Sequence, residues 1–548
     1  MQRRMMMASA IAVVVTAAFL PGSGLGSSAA AARGVPGIPA GLAAAIHARF
    51  GPGPLRLADS PTEHPGLGGA VAMSADGTTA LVSATGAGNL KGALYVYHVA
   101  GAGSWVSSAT PEATLSGTAQ DGLGEALGFD VALSADGTTA FAGAPARSYP
   151  GGIGAVLVFH VADESAWAST STPTATLTID NGGAFGFGLG PLEVSSDGTT
   201  LLMGDASYNA YAGAAYVFHV SSENAWASTS TPTATLSNAA EPGSDAEAGW
   251  SEIALSGDGT TALLGAAGSV SRAGRAYLFH VASEAAWTSS STPTAILSKA
   301  SGVAHDRLGW GVALSGDGTT AFLGAPGVKG NTGAVDVFHV ADAASWASSS
   351  TPVAILTKGG GAKNSYLGDS LAVSADGTTV VAGADGVNHF TGAAYLFRAS
   401  GEDAWTSSAA PTAALTDSSG ARNDLLGVRG LGTSSDGATV LIGAPGFNWS
   451  TGKADMFHVA DAGSWVTSST PTATLTNSAL PKPRCVVPRV SGYHVPFAKE
   501  LLAEANCRLG KVKRVHSTKK NRRLVVSQSP APRRNLRPGS KVNVKVGR

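Results

Sequence analysis

The chain has 548 residues, of which 44% are apolar, 72 are glycine and only 13% are charged. That apolar content excludes a disordered chain, and so many glycines with so few charges favour tightly turned β structure over helical bundles. The net charge of −1 conceals a split: residues 481–548 carry 18 Lys and Arg against 2 Asp and Glu, while residues 1–480 carry 18 against 35, an asymmetry that separates two folding units with different partners.

Residues 1–32 read as a secretory signal peptide. MQRR supplies two arginines, MMMASAIAVVVTAAFL an apolar run, and PGSGLGSSAAAA a small-residue tail with A-x-A sites near Ala32, the three parts of an export signal. The run is short for a membrane span, and no later stretch could cross a bilayer. The expected location is secreted or extracellular, with possible attachment to the wall and no transmembrane segment in the mature chain. Residues 33–53 read as a linker with a short helix.

Residues 54–478 repeat one phrase. S-x-D-G tetrads place Asp76, Asp136, Asp197, Asp258, Asp317, Asp376 and Asp436 at intervals of 59 to 61 residues. Each is followed by a segment like GAVDVFHV, by a lone tryptophan (Trp105, Trp167, Trp226, Trp287, Trp346, Trp405, Trp465), and by a phrase like STPTATLT. WGVALS, TTAFLGAP, GAVDVFHV and PVAILT then read as four short strands per copy. Asp-Gly between apolar runs is a strong hairpin signal, because glycine accepts positive φ and Asp tolerates it. The tetrad therefore closes a hairpin between the first two strands. One carboxylate per turn is too few for a calcium loop.

A four-stranded sheet repeated at fixed period must pack on its neighbours, as a radial propeller or a linear solenoid. Four strands per copy and seven copies favour an all-β, seven-bladed β-propeller of antiparallel strands. An eighth fourth-strand phrase, GPLRLADS, precedes the first copy beside the seventh TATLT at 472–476; one of the two completes the closing blade.

The run LGWGVALSGDGTTAFLGAPGVKGNTGAVDVFHV from Leu308 to Val340 resembles an FG-GAP repeat of the integrin α-subunit type. The resemblance covers residues 54–478 and implies a seven-bladed propeller used in adhesion and ligand binding. S-x-D-G-T-T stands where that family binds calcium, so metal-dependent capture does not carry over. The Asp-box of sialidase-type propellers is not matched either, since Asp and Gly are adjacent and its Trp is missing. His98, His160, His219, His280, His339 and His458 end equivalent strands. Symmetry holds such positions apart, so they are read as packing, as are the seven tryptophans.

One loop face is near-identical from copy to copy and the other varies, and variable loops on a repeated scaffold are where function sits. Tyr149, Tyr208, Tyr211, Phe390, Phe447 and Trp449 lie in those variable loops as candidate contacts for a protein or glycan.

Residues 479–548 read as a small αβ unit, an amphipathic helix at PFAKELLAEA followed by three alternating strands. Two cysteines within it, in an exported chain, point to a Cys485–Cys507 disulfide rather than a metal site. Val-Pro at 487–488, PFAKELLAEA, Leu509-Gly510, SQSP at 527–530 and PGSKV at 538–542 together resemble a PASTA domain. The resemblance implies a bacterial cell-wall setting and binding of peptidoglycan fragments. Lys511, Lys513, Arg514, Lys519, Lys520, Arg522, Arg523, Arg533 and Arg534 are candidate contacts to a wall polymer. Nucleic acid is a weaker partner for an exported chain without aromatic-basic interleaving. No catalytic residue, cofactor or metal ligand stands out. The expected function is a secreted, non-catalytic binding, adhesion or scaffold protein of the envelope. The alternative is a glycan-active, sialidase-like or glycosidase-like propeller enzyme.

Overall fold

The computed structural model describes residues 64–117, 126–145, 154–179, 190–240, 246–480, 484–517 and 522–548. The signal-like segment 1–32, the linker 33–53 and the GPLRLADS phrase lie outside the described residues. The chain forms two compact units, Glu63–Pro483 and one that contains residues 484–548.

The larger unit holds seven four-stranded antiparallel sheets with few helices, an arrangement consistent with a seven-bladed propeller. Each sheet takes its strands in chain order. The fifth is representative: Val312–Leu314, Thr320–Gly324, Val335–His339 and Ala354–Leu356. Its second strand is buried throughout, because neighbouring sheets cover both faces, and it accordingly reads as a nearly continuous apolar run rather than an alternating one. The seventh sheet is completed by Ala473–Leu475, so the TATLT phrase at 472–476 supplies its fourth strand.

The tetrad turn explains why the phrase is repeated. Ser315 N donates to Thr320 O at 3.0 Å and Gly318 N to Ser315 O at 3.0 Å, with Gly318 at φ 70°. Only Gly318 takes the left-handed conformation, and residues 316–319 lie between the paired Ser315 and Thr320, so the loop is longer than a two-residue Asp-Gly turn. Asp317 Oδ1 accepts from Ser315 Oγ at 2.7 Å and Thr319 N at 3.0 Å. Trp346 Nε1 donates to Gly318 O at 2.8 Å, and Thr320 Oγ1 lies 2.9 Å from His339 Nδ1. Trp105 and Trp465 make the same bond to Gly77 and Gly437. Histidine and tryptophan thus lock the hairpin of their own sheet.

The second tetrad residue ties sheet to sheet. Ala75 N donates to Ala135 O, Ala135 N to Ser196 O, Ser196 N to Gly257 O, Gly316 N to Ala375 O and Ala375 N to Ser435 O. Between the fourth and fifth sheets the donor shifts by one residue, Asp258 N to Gly316 O. Ser435 N donates to Ala75 O, linking the seventh sheet to the first. Further bonds run from Leu67 N to Thr451 O and from Ser108 N to Thr474 O.

The core is divided among the interfaces. Leu263, Leu278, Leu314, Phe338 and Trp346 pack between the fourth and fifth sheets. Val82, Tyr95 and Trp105 of the first pack with Leu441 and Met456 of the seventh. A fully buried Phe such as Phe338 contributes about 1.5–3 kcal/mol, and each interface holds several such groups. Four interfaces add a clasp: Glu164, Glu223, Glu284 and Glu402 accept from Thr78, Thr138, Thr199 and Thr319 of the preceding sheet. Buried cations bridge others. Lys299 Nζ meets Asp336 at 2.8 Å, and Lys453, only 3% exposed, meets Asp417 and Asp455.

In the smaller unit, helix Val495–Glu504 begins with Pro496 in its first turn, where the missing N–H is no loss. It is followed by strand Arg508–Val515, and Lys541–Gly547 lies between that strand, parallel to it, and antiparallel Val525–Ser529. Cys485–Val486 pairs with Asn535–Leu536. Val542, Val544 and Val546 alternate inward onto Ala498 and Leu502. Cys485 and Cys507 are disulfide-bonded with Cα atoms 4.8 Å apart, stapling the first strand to the end of the helix. A core this small needs such a bond. Among the described residues, no helix is long and apolar enough to cross a membrane.

Candidate functional site

The loops joining the second and third strands carry short turns with left-handed residues, among them Tyr211 at φ 69° and Phe390 at φ 68°. Tyr211 is 61% exposed. Tyr208 is half-buried and meets Tyr216 edge-on at 6.5 Å. Phe390 is half-buried. Phe447 packs against the core between the sixth and seventh sheets, with Lys453 Nζ 4.7 Å from its ring centre. Tyr149 and the Trp449 side chain lie outside the described residues. The third sheet therefore contributes Tyr208 and Tyr211, while Phe390 and Phe447 come from the neighbouring sixth and seventh.

A second feature has no counterpart among the sequence candidates. The innermost strands of all seven sheets line one cavity of about 260 Å³. The middle residues of six of these strands are Ala72, Ala132, Ala254, Ala313, Ala372 and Gly432, and the seventh is Glu193. Small side chains leave the space open and Glu193 reaches solvent inside it. Two more carboxyls immediately precede innermost strands. Asp130 accepts from Leu192 N at 2.8 Å and Glu252 from Val312 N at 2.9 Å.

Enclosure by protein raises all three. Burial pushes Asp130 up to about 6, against the pull of the Leu192 amide and Arg429. It pushes Glu193 up to about 8, with the Asp130 charge adding to it, although access to solvent from the cavity opposes part of that rise. Glu252 is raised well above the usual range, by burial first, and also by Asp369, Asp130 and Glu193. Arg429 Cζ sits 5.7 Å from the Phe129 ring centre and is the cation beside this acidic group. The arrangement can hold a proton or attract a cation. Among the described residues, no group of three or more His, Cys, Asp or Glu is placed to hold a metal ion.

The smaller unit carries the basic candidates. Lys511, Lys513 and Arg514 are exposed on strand Arg508–Val515, which is at the sheet edge. Arg522 and Arg523 are exposed just before Val525–Ser529, and Arg533 and Arg534 are exposed in the turn whose backbone pairs with Val487. Lys519 and Lys520 lie outside the described residues. Register adds three cations that the run-based reading missed. Lys541 stands opposite Arg508, and Lys545 opposite Lys513. All four are exposed, on the face away from the buried valines. The alternation KVNVKV was the available signal.

Residues 486–548 match the PASTA domain family. A comparison with curated proteins finds no match to this chain. PASTA domains bind peptidoglycan and the cell wall, so the match points to a cell-envelope role for the smaller unit.

Proposed function

We propose that the protein is an exported, non-catalytic binding or scaffold protein of the bacterial envelope. Its seven sheets form a closed seven-bladed propeller of the FG-GAP, integrin α-like kind, whose variable face contacts a protein or glycan. Its PASTA domain associates with the wall. The observation that carries the reading is the PASTA match over residues 486–548, reinforced by the concentration of positive charge in residues 481–548. Closure is supported by the bonds from the seventh sheet to the first and by a cavity that all seven innermost strands share. Co-sedimentation of the full chain with purified bacterial sacculi tests the wall assignment: the protein should pellet with the sacculi at low salt, and protein left in the supernatant rejects it.

One observation favours the glycan-active alternative. Asp130, Glu193 and Glu252 bring electrostatically coupled carboxyls to the inner end of the variable face, and paired carboxyls are what glycoside hydrolysis uses. Release of reducing ends from wall glycans by the wild-type chain, abolished in Glu252→Gln, would establish it. No release leaves the binding role.

A further inference from the structure

We propose that the exposed Ser-Thr pair just ahead of the proline leading into the fourth strand is an attachment site for O-linked sugar, present in five of the seven sheets. The inference rests on the export reading above, which brings the chain to sugar donors carried on the membrane. In the second sheet the stretch reads Ser169, Thr170, Ser171, Thr172, Pro173, Thr174. Three of its hydroxyls hold the fold. Ser169 Oγ accepts from Thr114 N of the preceding sheet at 2.9 Å, Thr170 Oγ1 from Thr172 N at 3.1 Å and Thr174 Oγ1 from His160 N at 3.1 Å. The hydroxyls of Ser171 and Thr172 are exposed and make no hydrogen bond to any described residue; Thr172 bonds through its backbone alone. The pairs at 230–231, 291–292, 350–351 and 469–470 are exposed in the same way.

The turn does not need these two hydroxyls. The sixth copy has Ala409-Ala410 in their place and closes the same turn, with Ala410 N donating to Ser408 Oγ at 3.2 Å, and the first copy has Ala109. Parallel pairing of Leu115 with Thr170 fixes the stretch to the preceding sheet, and proline holds the residue before it extended, so the pair stands on a rigid support. Ser and Thr beside proline on an exposed surface is the composition that carries O-linked sugars. In the transfer, the hydroxyl oxygen bonds to the anomeric carbon of a sugar carried on a lipid phosphate. The bond from that carbon to the phosphate oxygen breaks, the phosphate leaves with the electron pair, and a base of the transferase takes the hydroxyl proton. Antiparallel strand order puts this turn at the opposite end of each sheet from the loops joining the second and third strands, so sugar there leaves the variable loops bare.

The test is mass spectrometry of the full chain recovered from the medium and wall of the bacterium that makes it, before and after alkaline β-elimination, which strips O-linked sugars. The expected result is an excess over the mass of the exported sequence in whole sugar units, lost on elimination and mapped to these pairs, with none on the Ala409-Ala410 turn. Ser171→Ala with Thr172→Ala should remove the second sheet's share while the chain still folds, as the sixth copy does with alanines. Ser169→Ala, which removes the acceptor of the Thr114 amide, should lower the denaturation midpoint and keep the sugar. Exported chain at its bare sequence mass would overturn the modification and leave export standing. Chain found only in the cytoplasm would overturn both. Excess mass in phosphate units, or sugar confined to other residues, would overturn the assignment to these pairs.

Discussion

The amide of Ser435, in the tetrad turn of the seventh sheet, donates a 2.7 Å hydrogen bond to the carbonyl of Ala75 in the first. It repeats, across 360 residues of chain, the bond that Ala375 makes to Ser435 between adjacent copies. In an open solenoid the terminal copies would lack such a partner and would fray first. In a closed ring, the Ser435 and Ala75 amides should exchange with deuterium as slowly as those of Ala135 and Ala375. Exchange at Ser435 that is orders of magnitude faster would indicate an open array.

Lys453 is buried between two carboxylates, Asp417 from the sixth sheet and Asp455 from its own. Removing one partner of a buried ion pair typically costs about 3–5 kcal/mol, because the other charge is left without compensation. Lys453→Met should lower the denaturation midpoint accordingly. The loss should shrink on acidification, since burial already raises Asp455 and a protonated carboxyl no longer needs the cation. A variant as stable as wild type at pH 8 would show that the pair contributes nothing.

Glu193 and Asp130 set a pH dependence whose sign is fixed. Their carboxyls rise to about 8 and about 6 in the folded chain, above an unfolded value near 4. Between about pH 4 and 8 the folded state therefore holds more protons, so these groups make stability fall as pH rises through that window. Glu193→Ala, which restores the residue most other copies have, should unfold at higher temperature than wild type at pH 9, with the advantage gone by pH 4. Parallel curves for the two proteins would mean that Glu193 ionises normally.

Much of the sheet architecture was legible because each copy is built from contacts that recur with the phrase. Tetrad, histidine and tryptophan all lock the same hairpin, so their spacing reports the sheet. Glu193, Asp130 and Glu252 were not legible as a group: each is one acid among many in its own copy, and only the packing of the second, third and fourth sheets brings their charges near one another. Aligning the copies shows Glu193 against five alanines and a glycine. The threonine–glutamate clasp was equally hidden, although Ala438 replaces its threonine where Ala102 replaces the glutamate. In the smaller unit, attention to basic runs obscured Lys541 and Lys545, which are separated in sequence but aligned by strand register.

The Cys485–Cys507 bond closes the helix-bearing loop of the PASTA domain. Losing a disulfide from so small a core costs about 2–5 kcal/mol. Cys485→Ala with Cys507→Ala should therefore make residues 484–548 protease-sensitive while leaving the large sheet unit resistant. Equal resistance of both units would show that the staple is dispensable.

The most direct measurement compares wall retention of the full chain with that of a chain ending at residue 480, expressed side by side and fractionated at low salt. Blades that pack on one another should fold without the tail, so the truncated protein should appear, folded, in the medium while the full chain stays with the wall. Equal retention of both would contradict the assignment of attachment to residues 481–548.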